Sequence, residues 1–246
     1  MPTETVYGLG ANALDDAAVA RIYAAKGRPQ FNPLIVHVPD FDTAERYDVF
    51  NDVARRLAGA FWPGALTLVL PVRTGANVSK LVTAGLDTLA VRVPDHPVGQ
   101  AVLAAAGVPI AAPSANPSGR VSPTTAAHVI AGLDGRIDAV LDGGACGVGV
   151  ESTIVDVTGP VPVLLRPGGI SAVEIEAVLG VSVEDGRAGP SRAPGKLASH
   201  YAPEVTVELI EQSQVDDALA VASSADQPVG LIAPDVKGHS PSWQLP

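Results

Sequence analysis

Residues 26–38 read Lys26-Gly27-Arg28-Pro29-Gln30-Phe31-Asn32-Pro33-Leu34-Ile35-Val36-His37-Val38, a basic turn broken by glycine and proline that runs into a short apolar strand. Upstream, Asp15 to Ala25 has the spacing of a helix: Asp15 and Asp16 stand near its start, and Val19, Ile22 and Tyr23 share one face. Gly27 supplies the helix stop. Pro29 and Pro33 fix their own φ and restrict the residue before each, so Arg28 and Asn32 sit on stiff backbone. In the strand that follows, His37 alternates with Val36 and Val38 and so faces the opposite side. Helix, turn and strand in that order give an α/β protein with two cations, Lys26 and Arg28, held at the mouth of a sheet where an anion could be clamped. The same two cations also suit a solvated helix C-terminus, where the helix dipole favours positive charge. On this stretch alone both readings stand.

Working outward, the spacing of Val49, Phe50, Val53, Ala54, Leu57 and Phe61 predicts a helix ending near Gly59, and Ala65–Leu70 a strand after the Trp62-Pro63-Gly64 turn. Thr88–Val93 alternates as a strand, with Leu89, Val91 and Val93 on one face and Thr88, Ala90 and Arg92 on the other. An arginine on a central strand needs a partner, because an isolated buried charge is costly; a structural carboxylate and an anionic ligand both qualify. Helix 97–106 and strand 108–112 lead into Pro113-Ser114-Ala115-Asn116-Pro117-Ser118-Gly119, and Ser122 reads as the N-cap of a helix with Pro123 at its first position. Hydroxyls and backbone N–H groups at such a loop suit an anion, as they suit an ordinary capped turn. Further strands are expected at 139–141, 152–157 and 161–166, and a helix at 173–179. The glycines of 143–149 match neither a phosphate-binding Walker loop nor a dinucleotide fingerprint.

Composition narrows the field. A chain of 246 residues, 47% of them hydrophobic, holds one large domain or one domain and a fragment. Asp and Glu outnumber Lys and Arg by 26 to 16, so any phosphate or nucleic-acid contact has to come from a local cluster. The lone Cys146 excludes an intramolecular disulfide and a multi-cysteine zinc site, which suits a cytoplasmic protein. No apolar run is long enough to span a membrane, and no signal peptide is present. Pro2 to Gly10 reads as a loop without its incoming strand, which suggests a trimmed N-terminus. From Glu184 to Pro203 a Gly/Pro/Ser/Arg-rich stretch reads as a linker, and within 204–246 a strand at 205–210, a helix at 216–223 and a strand at 229–233 read as the β-α-β opening of a second domain.

PTETVYGLGA (2–11), AKGRPQFNPLIVHV (25–38), FWPGALTLVL (61–70), DTLAVRVPDHP (87–97), IAAPSANPSGRVSPTTAAHV (110–129), ESTIVDV (151–157) and LLRPGGI (164–170) together closely resemble the threonylcarbamoyl-AMP synthases of the YrdC-type fold. The SHYAP ending of the linker is similar to the longer, two-domain branch of that family. The resemblance implies a twisted mixed sheet around a concave pocket with flanking helices in a catalytic domain over 1–183, then a linker over 184–203 and a partial Rossmann-like domain over 204–246. It also implies that ATP, L-threonine and bicarbonate give threonylcarbamoyl-adenylate and pyrophosphate, with Mg2+ carried by the nucleotide. A downstream transferase complex would move the threonylcarbamoyl group onto a tRNA adenosine, without stable tRNA binding by this chain.

Residue by residue, Lys26-x-Arg28 and Ser114-x-Asn116 match the family's K-x-R…S-x-N signature. Arg28, Asn32, Thr88, Ser114, Ser122 and Arg166 match its ATP-binding positions, and His200 or Tyr201 the linker residue that folds over the nucleotide. Thr5, His37, Arg92, Ala112 (through its backbone) and Ser152 match its threonine-binding positions. Departures lie in the missing N-terminal helix and strand, in Ala193 and Lys196, where the linker commonly has serine and methionine, and in the shortened second domain. Chemically, every participant in this reaction is anionic, so charge neutralisation and in-line positioning come before any protein nucleophile. Lys26 and Arg28 are the expected catalytic cations. An RNA-binding module, a non-catalytic nucleotide sensor and a carbamoyl-transfer domain of the hydrogenase-maturation type are the competing readings. Net charge −10 weighs against the first, and a single cysteine against the last.

Overall fold

The computed structural model describes residues 1–29 and 31–186 and, beyond them, Pro203, Val207 and 209–223. The chain divides into two units, Met1–Ala202 and Pro203–Pro246. The first is built on a sheet of β1 (Ala11–Asn12), β2 (Ile35–His37), β3 (Leu66–Pro71), β4 (Thr88–Arg92), β5 (Ile110–Ala111), β6 (Thr153–Asp156), β7 (Val163–Arg166) and β8 (Glu184–Asp185). Across the sheet the order is β1-β5-β2-β4-β3-β6-β7-β8. The pairs β2/β4, β3/β6 and β7/β8 are parallel and the other neighbours antiparallel. Around it lie α1 (Asp16–Lys26), α2 (Phe41–Ala44), α3 (Asp52–Phe61), α4 (Lys80–Thr83), α5 (Pro97–Ala106), α6 (Ala126–Leu133) and α7 (Ala172–Leu179). In the second unit the described residues form a 3-10 turn, Gln212–Gln214, and α8 (Val215–Ser223). Among the described residues no helix is long and apolar enough to cross a membrane.

The period of two along the central strands makes the sheet two-faced. Val36, Leu66, Leu68, Leu70, Leu89, Val91 and Val155 point one way, into the main core with Val19 and Ile22 of α1, Leu57 of α3 and Ile175 of α7. Ile35, Val69, Ala90 and Ile154 form a thinner apolar layer on the other face. His37 and Arg92 are directly paired in the β2/β4 register, so both polar groups emerge beside this second layer. The helices that brace the core start and stop on local chemistry. Asp15 accepts from the backbone of Ala17 and Ala18 at 2.8 and 3.2 Å, and Gly27 ends α1 at φ 62°, in the left-handed region glycine tolerates.

Several expectations need correction. Ser122 does not cap a helix: α6 starts at Ala126 with Thr125 as its N-cap. The carbonyls of Pro123 and Thr124 instead accept from Tyr7 at 2.8 Å and Cys146 at 2.9 Å, which holds that leg extended. No strand forms at 139–141, where Val140 packs with Ile137 and Cys146 against the Tyr7 cluster. The helix expected from Val49 begins at Asp52, since Asn51 takes the cap position and accepts from Ala54 at 2.8 Å. The sheet continues through β8 into the stretch read as linker, and the two-residue β1 and single-turn α2 and α4 arise where no element was expected. Of the β-α-β segment, the helix forms as α8; half of the strand expected at 205–210, and all of the one at 229–233, lie outside the described residues.

Candidate functional site

A cleft lies on the second face of the sheet, between the ends of β2 and β4 and the loops around residues 3–8, 112–114 and 151–152. Eight of the expected residues line it: Thr5, Arg28, His37, Arg92, Ala112, Ser114, Ser152 and Arg166. Each arrives from a different part of the chain. The 3–8 stretch is laid against the 113–115 loop by Leu9 N–H to Pro113 and Ala115 N–H to Tyr7 carbonyl bonds, both 2.8 Å, with Ser114 bridged to Gly8. Ala112 donates its N–H to Ile35 at 2.9 Å, continuing the sheet one residue beyond β5.

The polar groups of the cleft are held in place by backbone carbonyls and by one another. Arg92, 3% exposed, donates from Nη1 to Thr5 Oγ1 at 2.8 Å, from Nη2 to Glu4 Oε1 at 2.5 Å and from Nε to the Gly64 carbonyl at 3.1 Å. Burial lowers the pKa of this guanidinium, and Glu4 opposes that shift. Arg166 donates from Nε and Nη2 to the Ser152 carbonyl at 3.1 and 2.9 Å and from Nη2 to Ser152 Oγ at 3.1 Å, while Thr67 and Ser152 hydroxyls meet at 2.7 Å. Arg28 donates from Nη2 to the Pro33 carbonyl at 3.1 Å and, more weakly, from Nε to that of Asn32 at 3.4 Å. His37 is buried; desolvation first, and then the charge of Arg92, pull its pKa down to about 3. It is therefore neutral, and its Nδ1 has no hydrogen-bond partner among the described residues.

Lys26 is placed differently from expectation. It is buried and does not line the cleft; its ammonium donates to the carbonyls of Ser114 and Asn116, so it braces the loop that does. Burial, with Arg28 nearby, draws the Lys26 pKa down to about 7. Asn116 also faces inward, donating from Nδ2 to Pro117 and Arg120 carbonyls at 2.8 Å. Asn32 is buried behind Arg28 and does not line the cleft. Ser122 donates its hydroxyl to Glu151, which does line it. Thr88 shares the face of Arg92 but stands at the other end of β4, roughly 13 Å away at the rise of an extended strand. His200 and Tyr201 lie outside the described residues. Glu4 and Glu151 were not anticipated: each acquires its role from a partner distant in sequence. A second hollow on the helix face, lined by Phe41, Ala58, Trp62, Pro63 and Val93 among others, holds none of the expected site residues.

Fold and cleft together define an α/β protein that gathers arginines, hydroxyls and a neutral histidine against one sheet face. Comparison with known proteins gives the family. The Sua5_yciO_yrdC family model, described as "Telomere recombination", matches residues 1–168, and the model described as "Threonylcarbamoyl-AMP synthase, C-terminal domain" matches residues 170–243. The chain belongs to the Sua5/YciO/YrdC family. It is 51% identical over 219 residues to the threonylcarbamoyl-AMP synthase of Bacillus subtilis, covering 86% of this chain and 62% of that protein. It is 45% identical over 243 residues to the synthase of Pyrococcus abyssi, covering 94% of this chain and 71% of that protein. The crystal structure of P. abyssi Sua5 complexed with L-threonine superposes with a TM-score of 0.83 at 45% identity, covering 90% of this chain and 67% of that one. The chain thus spans 62–71% of the length of these relatives.

Proposed function

We propose that the protein joins L-threonine, bicarbonate and Mg2+-bound ATP into threonylcarbamoyl-adenylate, releasing pyrophosphate, for threonylcarbamoylation of tRNA adenosine by a downstream transferase complex in the cytoplasm. The observation that carries this reading is the convergence of Arg28, His37, Arg92, Ser114, Ser152 and Arg166 on one cleft. The threonine bound in the P. abyssi relative supports the amino-acid half. Residues 1–183 act as the catalytic domain, with 184–203 as linker and 204–246 as part of a second domain; the division of the chain into Met1–Ala202 and Pro203–Pro246 supports the boundary at the end of the linker.

In this reading threonine's carboxylate takes the two N–H groups of Arg92 that Glu4, Thr5 and Gly64 leave over, since a guanidinium has five donors. His37, neutral and lining the cleft, accepts the threonine hydroxyl, and Ser152 and Ala112 complete that side. The triphosphate lies toward Arg28, Ser114 and Arg166, with Thr88 and Asn32 at the margins and Ser122 beside Glu151. Lys26 and Asn116 act by shaping the 114–116 loop, and His200 or Tyr201 covers the nucleotide from the linker. No covalent protein intermediate is required: the carbamate oxygen attacks the α-phosphorus and pyrophosphate leaves, with the arginines neutralising charge that builds on the phosphates.

Mass spectrometry of a reaction holding ATP, bicarbonate and threonine tests the reading directly. A threonylcarbamoyl-adenylate peak is expected. ATP binding without threonine-dependent pyrophosphate release would identify a nucleotide sensor instead, and tight, steeply salt-dependent tRNA binding without ATP an RNA module. Arg28→Ala should abolish pyrophosphate release with circular dichroism unchanged.

A further inference from the structure

Threonine enters solution chemistry as an ammonium, and its nitrogen has no lone pair for bicarbonate until a proton is removed. Among the described residues that line the cleft, Glu151 carries the one carboxylate. Its Oε1 accepts the Ser122 hydroxyl, whereas its Oε2 makes no hydrogen bond among the described residues and is not one of the buried, unpartnered oxygens. The group is fixed from behind. Its carbonyl accepts Gly169 N–H at 3.0 Å, and Gly168 lies so close that a Cβ there would stand 2.3 Å from that carbonyl oxygen. Glu151 therefore stands between Ser122, on the nucleotide side, and Ser152, on the amino-acid side, where carbamate and α-phosphate have to meet.

We propose that Glu151 is the proton acceptor for carbamate formation, a role that rests on the function proposed above. The threonine ammonium gives one proton to the Glu151 carboxylate, leaving a neutral amine and a carboxylic acid. The amine lone pair then forms the C–N bond to the bicarbonate carbon; the carbon loses one oxygen as water, and the product is the carbamate anion. Glu151 returns its proton to solvent. Arg28, Arg92 and Arg166 promote the first step, since like charges disfavour the ammonium form. Adenylyl transfer from ATP to the carbamate oxygen does not involve Glu151.

Glu151→Gln keeps an acceptor for Ser122 but cannot take the proton. Two rates decide the matter: forward synthesis from ATP, bicarbonate and threonine, and the reverse formation of ATP from purified threonylcarbamoyl-adenylate and pyrophosphate. Expected is a forward loss of at least a hundredfold, a reverse loss of no more than a few-fold, and threonine and ATP affinities by calorimetry within threefold of wild type. Equal loss in both directions overturns the proposal, and if raised Mg2+ restores both, Glu151 serves the nucleotide's metal. Forward activity at the wild-type level also overturns it. Should the Gln variant misfold, Glu151→Asp, which keeps a carboxylate one methylene short, is expected to lose forward rate alone; parallel loss in both directions overturns the proposal there too. Wild-type protein making no adenylate at all would instead overturn the function itself.

Discussion

Arg92 enters the cleft already paired. Its partner Glu4 is nearly as buried, with 4% and 14% of the two side chains exposed, and the second oxygen of Glu4 is buried without a hydrogen bond among the described residues. The ion pair joins residues 88 positions apart and ties the N-terminal loop to the end of β4. Of the two partners left open by the strand pattern, the structural carboxylate is present in Glu4, and Arg92 also lines the cleft. Removing one partner of a buried pair leaves the other charge uncompensated, which costs up to roughly 3–5 kcal/mol and less where one side chain touches solvent. Glu4→Gln should lower unfolding free energy by about 2–3 kcal/mol. Because threonine's carboxylate would return a negative charge to Arg92, saturating threonine should raise the melting temperature of this variant more than that of wild type. Equal threonine shifts in the two proteins, read by scanning calorimetry, would break the link between Glu4, Arg92 and the ligand.

Elements differ in how they reach the site, and substitutions separate them. Gly168 follows β7 and presses on the start of β6: an added Cβ would lie 2.5 Å from Ser152 C and Thr153 N, backbone that cannot swing aside. Gly168→Ala should cost about 1–3 kcal/mol by overpacking and should displace Ser152, lowering threonine-dependent turnover at least tenfold. Leu57 of α3 is fully buried in the core on the opposite face of the sheet. Leu57→Ala should cost about 2–5 kcal/mol in a urea titration yet leave KM for threonine within twofold, because the strands carry the site and the cavity opens behind them. The same distinction explains what could be read in advance. Alternation set His37 apart from Val36 and Val38 and Arg92 apart from Leu89, Val91 and Val93, and glycine marked the end of α1, because these signals are local; that β2 and β4 are neighbours is a long-range fact. β1, α2 and α4 are two to four residues long and complete no period. Ser122 and Thr125 both carry cap chemistry, and only the distant N–H groups of Tyr7 and Cys146 decide between them. Lys26 was legible as a cation near the site, but its carbonyl partners lie 88 and 90 residues away, so its bracing role was not.

At the scale of the whole molecule, an acidic chain of net charge −10 concentrates cations at one hollow, and the cost shows in how stability responds to pH. His37 is neutral in the native state down to about 3, so the unfolded chain binds more protons below its ordinary value of 6.5, and stability falls on acidification through that window. Asp48 works the other way. Buried, with neither carboxylate oxygen bonded among the described residues, it holds its proton well above 3.8, and its contribution is lost as pH rises through that raised value. Lys26 governs the alkaline side: between about 7 and 10.5 the unfolded chain holds a proton that the native protein has released, so stability rises with pH there. Each proton of difference contributes a slope of about 1.36 kcal/mol per pH unit. Lys26→Met should therefore flatten the dependence of unfolding free energy on pH between 7 and 9 by up to one proton, other titrating groups being common to both proteins. A bound triphosphate would restore the ammonium form, so at pH 8 ATP binding to wild type should take up protons, seen as a calorimetric enthalpy that varies with the ionisation enthalpy of the buffer. In Lys26→Met that buffer dependence should vanish. Uptake persisting undiminished in the variant would assign the proton to another group and leave Lys26 as a brace alone.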